Sequence, residues 1–198
     1  MSKKIAVLLA NGFEEVEGLA VVDVLRRAGF VCDMVGVEGE VVQGSHGIRI
    51  FADKLLQDVV ADTYDMVVLP GGLPGADTLR DTEAVVAWVQ EFAAREDKFV
   101  AAICAAPQVL AKAGVATGRR VTSYPGANFQ AMFQDAEYVD DNTMTEDGVI
   151  VCGNMITSRG PGTTLPFAYR LVEMLGGPAE TLREAMQYNA LKASVRAH

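Results

Sequence analysis

The chain has 198 residues, half of them hydrophobic and 22% charged, which suits one domain (residues 1–198) with a full core. Acidic residues outnumber basic ones 26 to 17, giving a formal charge of -9 with no Lys/Arg cluster to offset it, so neither nucleic acid nor an anionic membrane is an expected partner. Three widely spaced cysteines (Cys32, Cys104, Cys152) and two histidines (His46, His198) exclude a disulfide framework, a CxxC metal site and a His-rich metal site, so no metal is expected.

Met1-Ser2-Lys3-Lys4 precedes an apolar run too short for a signal-peptide core or a membrane span, which predicts a cytoplasmic protein. Lys4 to Leu9 reads as a buried strand ending in the turn signal Asn11-Gly12. A helix is predicted from Phe13 to about Ala28, stopped by Gly29. Its first turn carries Glu14, Glu15 and Glu17, and its last Arg26 and Arg27; both groups complement the helix dipole. That accounts for Glu14 and Glu15. Glu17 shares an apolar stripe with Val21, Val24 and Ala28, so its carboxyl is expected to be partly buried and to retain its proton.

Val31 to Val37 is a second strand inside the sheet, and Val41 to Phe51 suggests a small hairpin. The buried strand Met66 to Leu69 runs into Pro70-Gly71-Gly72-Leu73-Pro74-Gly75-Ala76. A Gly/Pro-rich loop after a strand is where open parallel sheets bind ligands, and its glycines let backbone N–H groups face an oxyanion. An ordinary tight turn explains the same residues, and neither GxGxxG nor GxxxxGK[ST] is present. Thr82 to Arg95 is a helix with Val85, Val86, Val89 and Phe92 on one side.

Phe99 to Ile103 is a short apolar run between a charged stretch and a helix with Pro107 near its start and Gly114 after its end. Cys104 falls at the junction, among Ala101, Ala102, Ala105 and Ala106, where a nucleophile on a tight turn needs small neighbours. The helix start behind the sulfur would favour thiolate. A buried structural cysteine is the competing account. Farther on, Arg120 to Pro125 gives a brief strand and turn, and Gly126 to Phe133 a short helix. Tyr138 to Thr143 and Val149 to Cys152 read as an antiparallel pair joined through Glu146-Asp147-Gly148. Met155 to Thr157 leads into Ser158-Arg159-Gly160-Pro161-Gly162-Thr163-Thr164, followed by helices over Leu165 to Leu175 and Ala179 to Tyr188 and a loosely held tail to His198. Strands alternating with helices predict an α/β domain with a mostly parallel sheet covered on both faces.

Four stretches, Asn11 to Glu17, Val68 to Gly72, Ala101 to Pro107 and Thr157 to Thr163, together resemble the ThiJ/PfpI superfamily, in its branch holding the parkinsonism-associated deglycase and its bacterial relatives. The resemblance covers nearly the whole chain. It implies a flavodoxin-like three-layer sandwich that forms a homodimer, with the cysteine at a nucleophile elbow and no cofactor. Carried over by motif, Cys104 would be nucleophile and oxidisable thiol, Glu17 a protonated carboxyl on the sulfur, and Gly72 and Ala105 N–H groups an oxyanion hole. Arg159 would lie near the dimer contact. Tyr124 stands where animal members place a histidine, Gly44 and Phe51 where they have accessory cysteines, and His46 where they have arginine. Ala105 replaces the histidine of the protease-like branch, so no Cys–His couple exists for peptide hydrolysis.

The activity implied is glutathione-independent glyoxalase or deglycase chemistry on a small aldehyde or glycated substrate. The alternative is a redox sensor or chaperone working through oxidation of Cys104. A thiazole-phosphate role linked to thiamin finds no phosphate cradle in the sequence. Cys32 and Cys152 are expected in or beside buried strands, without chemistry.

Overall fold

The computed structural model describes residues 2–141, 143–145 and 147–196. The first half of the chain forms β1 (Lys4–Leu9), α1 (Glu15–Arg27), β2 (Val31–Gly36), the hairpin β3 (Val41–Gln43) and β4 (Arg49–Phe51), the short β5 (Lys54–Leu55) and β6 (Met66–Leu69). Then come α2 (Gly75–Asp81), α3 (Glu83–Ala93), β7 (Phe99–Ile103), α4 (Pro107–Lys112), β8 (Arg120–Val121), α5 (Ala127–Gln130) and β9 (Glu137–Tyr138). The chain closes with β10 (Val149–Cys152), β11 (Met155–Ser158), α6 (Thr164–Met174), α7 (Ala179–Ala185) and α8 (Tyr188–Arg196).

The central sheet has the order β10-β11-β7-β6-β1-β2-β5, and every pairing is parallel except β10 against β11. This is the mostly parallel, helix-flanked architecture expected. Alternation along β1 shows why it sits at the centre. Ile5, Val7 and Leu9 pack with Val21, Val24 and Leu25 of α1 and with Phe167 and Leu171 of α6. Ala6, Leu8 and Ala10 face Leu79 of α2, Val89 and Phe92 of α3, and Val109 of α4. A strand buried on both faces must be apolar at every position, and each large side chain so buried contributes roughly 1.5–3 kcal/mol.

Strand order reverses at β1, with β2 on one side and β6 on the other. The register pairs Val7 with Val68, Leu69 with Ala102 and Ile103 with Ser158, so β1, β6, β7 and β11 all end along one edge. A crevice at such a switch point is the usual ligand site of an open α/β sheet.

Two expectations need correction. Val149–Cys152 does not pair with the Tyr138 segment: β10 pairs with β11 across Gly153-Asn154, while β9 runs parallel to β8 in a separate two-stranded sheet. A two-residue Gly-Asn connection brings the following strand back at once, and so outcompetes the longer route through Asp147-Gly148. Glu146 of that predicted turn lies outside the described residues. The expected loose tail is instead α8 as far as Arg196, and His198 lies outside the described residues. Among the described residues, no helix is long and apolar enough to cross a membrane.

Candidate active site

Three loops meet at the switch point. After β1 the chain turns through Gly12 and enters α1, whose first turn carries Glu17 with 0% of its surface exposed. After β6 comes Pro70-Gly71-Gly72, and after β7 comes Cys104. Cys104 has φ +62°, an uncommon conformation for a residue other than glycine. Two backbone bonds hold it there: its N–H donates to the Ser158 carbonyl at 3.0 Å, and its carbonyl accepts from Tyr124 N–H at 2.7 Å. A side chain forced into positive φ costs free energy, which the surrounding bonds must offset, and such strain is concentrated at functional sites.

Cys104 is buried, with 8% of the residue exposed. The Gly72 and Ala105 N–H groups and the Glu17 carboxyl are the polar groups beside it. Glu17 Oε2 accepts the Gly71 N–H at 2.8 Å, while the buried Oε1 has no hydrogen-bond partner. Gly71 is where the three loops come closest. A Cβ there would lie 2.6 Å from Cys104 Cβ, 2.7 Å from Glu17 Oε2 and 2.9 Å from Ala105 N. Gly72 has φ +87°, and a Cβ on it would run into Glu14 N and the Gly12 carbonyl. Only glycine lets this backbone approach so closely.

The structure thus brings Glu17, Gly72, Cys104 and Ala105 to one point. Sequence reasoning passed over Gly71 as a contact to Glu17; its signal was the doubled glycine after a buried strand.

The electrostatics differ from expectation in one respect. Burial pushes Glu17 up to about 7, against the lowering effect of the Gly71 N–H and the thiol. For Cys104, burial and then the charge of Glu17 push the thiol up to about 12, although the Gly72 and Ala105 N–H groups pull the other way. Burial and Glu17 thus work against the thiolate that the start of α4 was expected to favour. The two groups titrate as a pair. Below about 7 both groups keep their protons and above it one proton remains on the pair; when that proton sits on Glu17 the like-charge repulsion opposing the thiolate disappears.

The neighbourhood of Glu14 and Glu15 also departs from the helix-dipole account. Glu15 is 5% exposed and lies under the tip of the β3–β4 hairpin, where Oε1 accepts the N–H of His46 at 2.8 Å and of Ile48 at 3.3 Å. Its Oε2 lies 3.1 Å from His46 Nδ1 and accepts from Ser45 Oγ at 3.2 Å. Burial alone would raise Glu15, but these hydrogen bonds overcome it and hold the carboxyl down at about 2. Among the described residues, Glu14, Glu15 and His46 are the group whose donor atoms could surround a metal ion, yet the Glu15 oxygens are already used by the hairpin.

Elsewhere, Cys32 is buried on β2 and its thiol is pushed up to about 12 by burial, while Cys152 is half-buried on β10. The Arg159 guanidinium is largely buried and pairs with Asp141 at 2.6 Å. The Tyr124 phenol stands half exposed, edge-on to Phe129.

Comparison with known proteins agrees with this fold. The sequence pattern of the DJ-1/PfpI family matches residues 3–174. Protein dj-1beta of Drosophila melanogaster is 44% identical over 178 residues, covering 89% of this chain and 91% of that protein. Its crystal structure superposes with a TM-score of 0.86, covering 94% of this chain and 98% of that one. The glutathione-independent glyoxalase DJR-1.2 of Caenorhabditis elegans is 34% identical over 168 residues, 85% of this chain and 86% of the relative. The solved structure of oxidized Toxoplasma gondii DJ-1 has a TM-score of 0.82 at 33% identity, covering 94% and 98% of the two chains.

Proposed function

The chain belongs to the DJ-1/PfpI family, and from that premise we propose that it is a cysteine-dependent, glutathione-independent glyoxalase or deglycase acting on small reactive carbonyls. The observation that carries this reading is the convergence of the buried Glu17 carboxyl and Cys104 on Gly71, where a Cβ would lie within 2.7 Å of both.

The chemistry follows from the single shared proton. Transfer from thiol to Glu17 yields thiolate beside neutral acid. The thiolate attacks the aldehyde carbon of methylglyoxal, a C–S bond forms, and the C=O electron pair moves to oxygen. Gly72 and Ala105 N–H groups, which lie beside the sulfur, are within reach of an oxyanion on the carbon attached to it. Glu17 protonates that oxygen, giving a hemithioacetal. The resulting carboxylate removes the hydrogen from the same carbon and returns it to the neighbouring carbon, while the hydroxyl proton passes to the neighbouring oxygen, converting hemithioacetal to thioester. Water cleaves the C–S bond, releasing lactate and the thiol. The sum is methylglyoxal plus water to lactate, with no outside oxidant. Lactate formation by wild type, Cys104→Ser and Glu17→Gln tests it; equal rates in the three would refute the mechanism.

A second reading is favoured by the solved oxidized relative: Cys104 serves as a peroxide sensor. A thiolate consumes two peroxide molecules to become a sulfinate, releasing two waters, and a protonated Glu17 would donate to the new oxygens. Intact mass after mild peroxide separates the readings, since a sensor gains two oxygens on wild type and none on Cys104→Ala. We place the protein in the cytosol, where its free thiols stay reduced, as a homodimer of one domain per chain. The open groove lined by Val16, Ala20, Leu165, Leu191 and Val195 offers an apolar face for that contact.

A further inference from the structure

The β3–β4 hairpin contributes nothing to the sheet and has no reactive residue, yet its tip is bonded to the loop that carries the site. Ser45 N–H donates to the Phe13 carbonyl at 2.8 Å, and Gly12 N–H donates to the Gln43 carbonyl at 2.7 Å. Beneath the tip, Glu15 receives four contacts, from His46 N, Ile48 N, Ser45 Oγ and His46 Nδ1. Glu14 Oε2 lies 3.2 Å from the same Ser45 hydroxyl, whose one proton the two carboxylates share, and 3.5 Å from His46 Nδ1.

Gly44 makes the fit possible, since a Cβ there would overlap the Glu15 carboxyl. From this clamp a short run of bonds leads to the sulfur. Glu14 N–H donates to the Gly71 carbonyl at 2.8 Å, Gly71 N–H donates to Glu17 Oε2 at 2.8 Å, and the Glu17 carboxyl lies beside Cys104.

We propose that Glu15, locked under Ser45 and His46, is a positioning residue that seats the Gly12–Glu14 segment against Gly71 and so holds Glu17 on the Cys104 sulfur. A carboxylate is suited to this because charge-assisted bonds to backbone N–H are short and strong, fixing the hairpin and the start of α1 to each other. Glu17 lies two residues along the same helical turn, so a shift of the helix start moves it directly. The inference rests on Cys104 and Glu17 acting as a pair, as set out above.

The test is the pH profile of Cys104 alkylation by iodoacetamide, with melting temperature recorded for each variant. The charged groups bearing on the pair are Glu14 and Glu17, and those facing His46 are Glu14 and Glu15. Glu17→Gln removes the like charge beside the thiol and should lower the alkylation midpoint. Glu15→Gln and Gly44→Ala attack the clamp from its two sides, and both should shift the midpoint the same way by about half a pH unit, about threefold in thiolate fraction. His46→Gln keeps the backbone N–H and loses only the ring contact, so its shift should be smaller and its fold secure. Lower melting temperatures with unmoved midpoints in the clamp variants would overturn the proposal and leave Glu15 a purely structural peg. An unmoved midpoint in Glu17→Gln would overturn the Cys104–Glu17 pairing itself and the clamp's role with it.

Discussion

Glu15 and Glu17 lie two residues apart in the first turn of α1, both nearly inaccessible, and they end in opposite states. The side of the helix under the hairpin offers Glu15 two backbone N–H groups, a hydroxyl and an imidazole, which hold its carboxyl down at about 2. On the side under Cys104, Glu17 finds one backbone N–H and a thiol, and burial raises it to about 7. Low exposure alone therefore does not decide protonation; how deeply a carboxyl is desolvated and how many donors reach it do. The donor-rich side makes a fixed structural anion, and the donor-poor side an acid that can give up and take back a proton near neutral pH.

The most severe way to break this contrast is at the reacting side. Glu17→Gln should lower lactate formation from methylglyoxal by about 100-fold or more, as expected for loss of a general acid–base group, while Glu15→Gln, assayed in parallel, should lose far less. Gly71→Ala brings a methyl within 2.6 Å of Cys104 Cβ and 2.7 Å of Glu17 Oε2, so it should abolish turnover and cost about 1–3 kcal/mol in urea denaturation.

Stability should then slope oppositely with pH at the two carboxyls. The folded Glu17 value lies above its ordinary 4.5, so the stability linked to its neutral form is full below 4.5 and is lost as pH climbs through about 7. Glu17→Gln should accordingly be more stable than wild type above pH 7, on the order of 2 kcal/mol by denaturant melts, even as its activity falls. Glu15 runs the other way. Its folded value lies below 4.5, so its contribution is full above 4.5 and disappears as pH falls towards 2. Melting curves of Glu15→Gln should lack that part of the acid transition, and a wild-type-like acid limb would show that Glu15 is not held as an anion. The smallest effect is expected at Cys152→Ser, half-buried on an edge strand, which should change stability by no more than about 0.5 kcal/mol and leave turnover unaltered.

Much of the fold was legible in the chain because β1, β6 and β7 are buried on both faces, and such strands can only be written as unbroken apolar runs. The edge of the sheet was harder. β10 and β11 are four residues each, and two turn signals, Asp147-Gly148 and Gly153-Asn154, competed for the same strand. Similarly, α8 carries Leu191 and Val195 on a face that is exposed in the protomer, so no core contact announced it. At the site, Cys104 among alanines and the doubled glycine stood out, because a tight turn and close backbone approach restrict which residues fit. Glu15 did not stand out, since an acidic residue in a first helical turn is fully explained by the helix dipole.

Local patterning, then, determined where strands and helices lie and that a thiol, a carboxyl and a glycine loop each follow a strand. Their meeting was decided by strand order, which places the ends of β1, β6 and β7 side by side, and by a hairpin tip remote in sequence that takes up Glu15 and leaves Glu17 short of donors. Protonation depends on which groups surround an oxygen in space, and that neighbourhood comes into being only when the chain is folded.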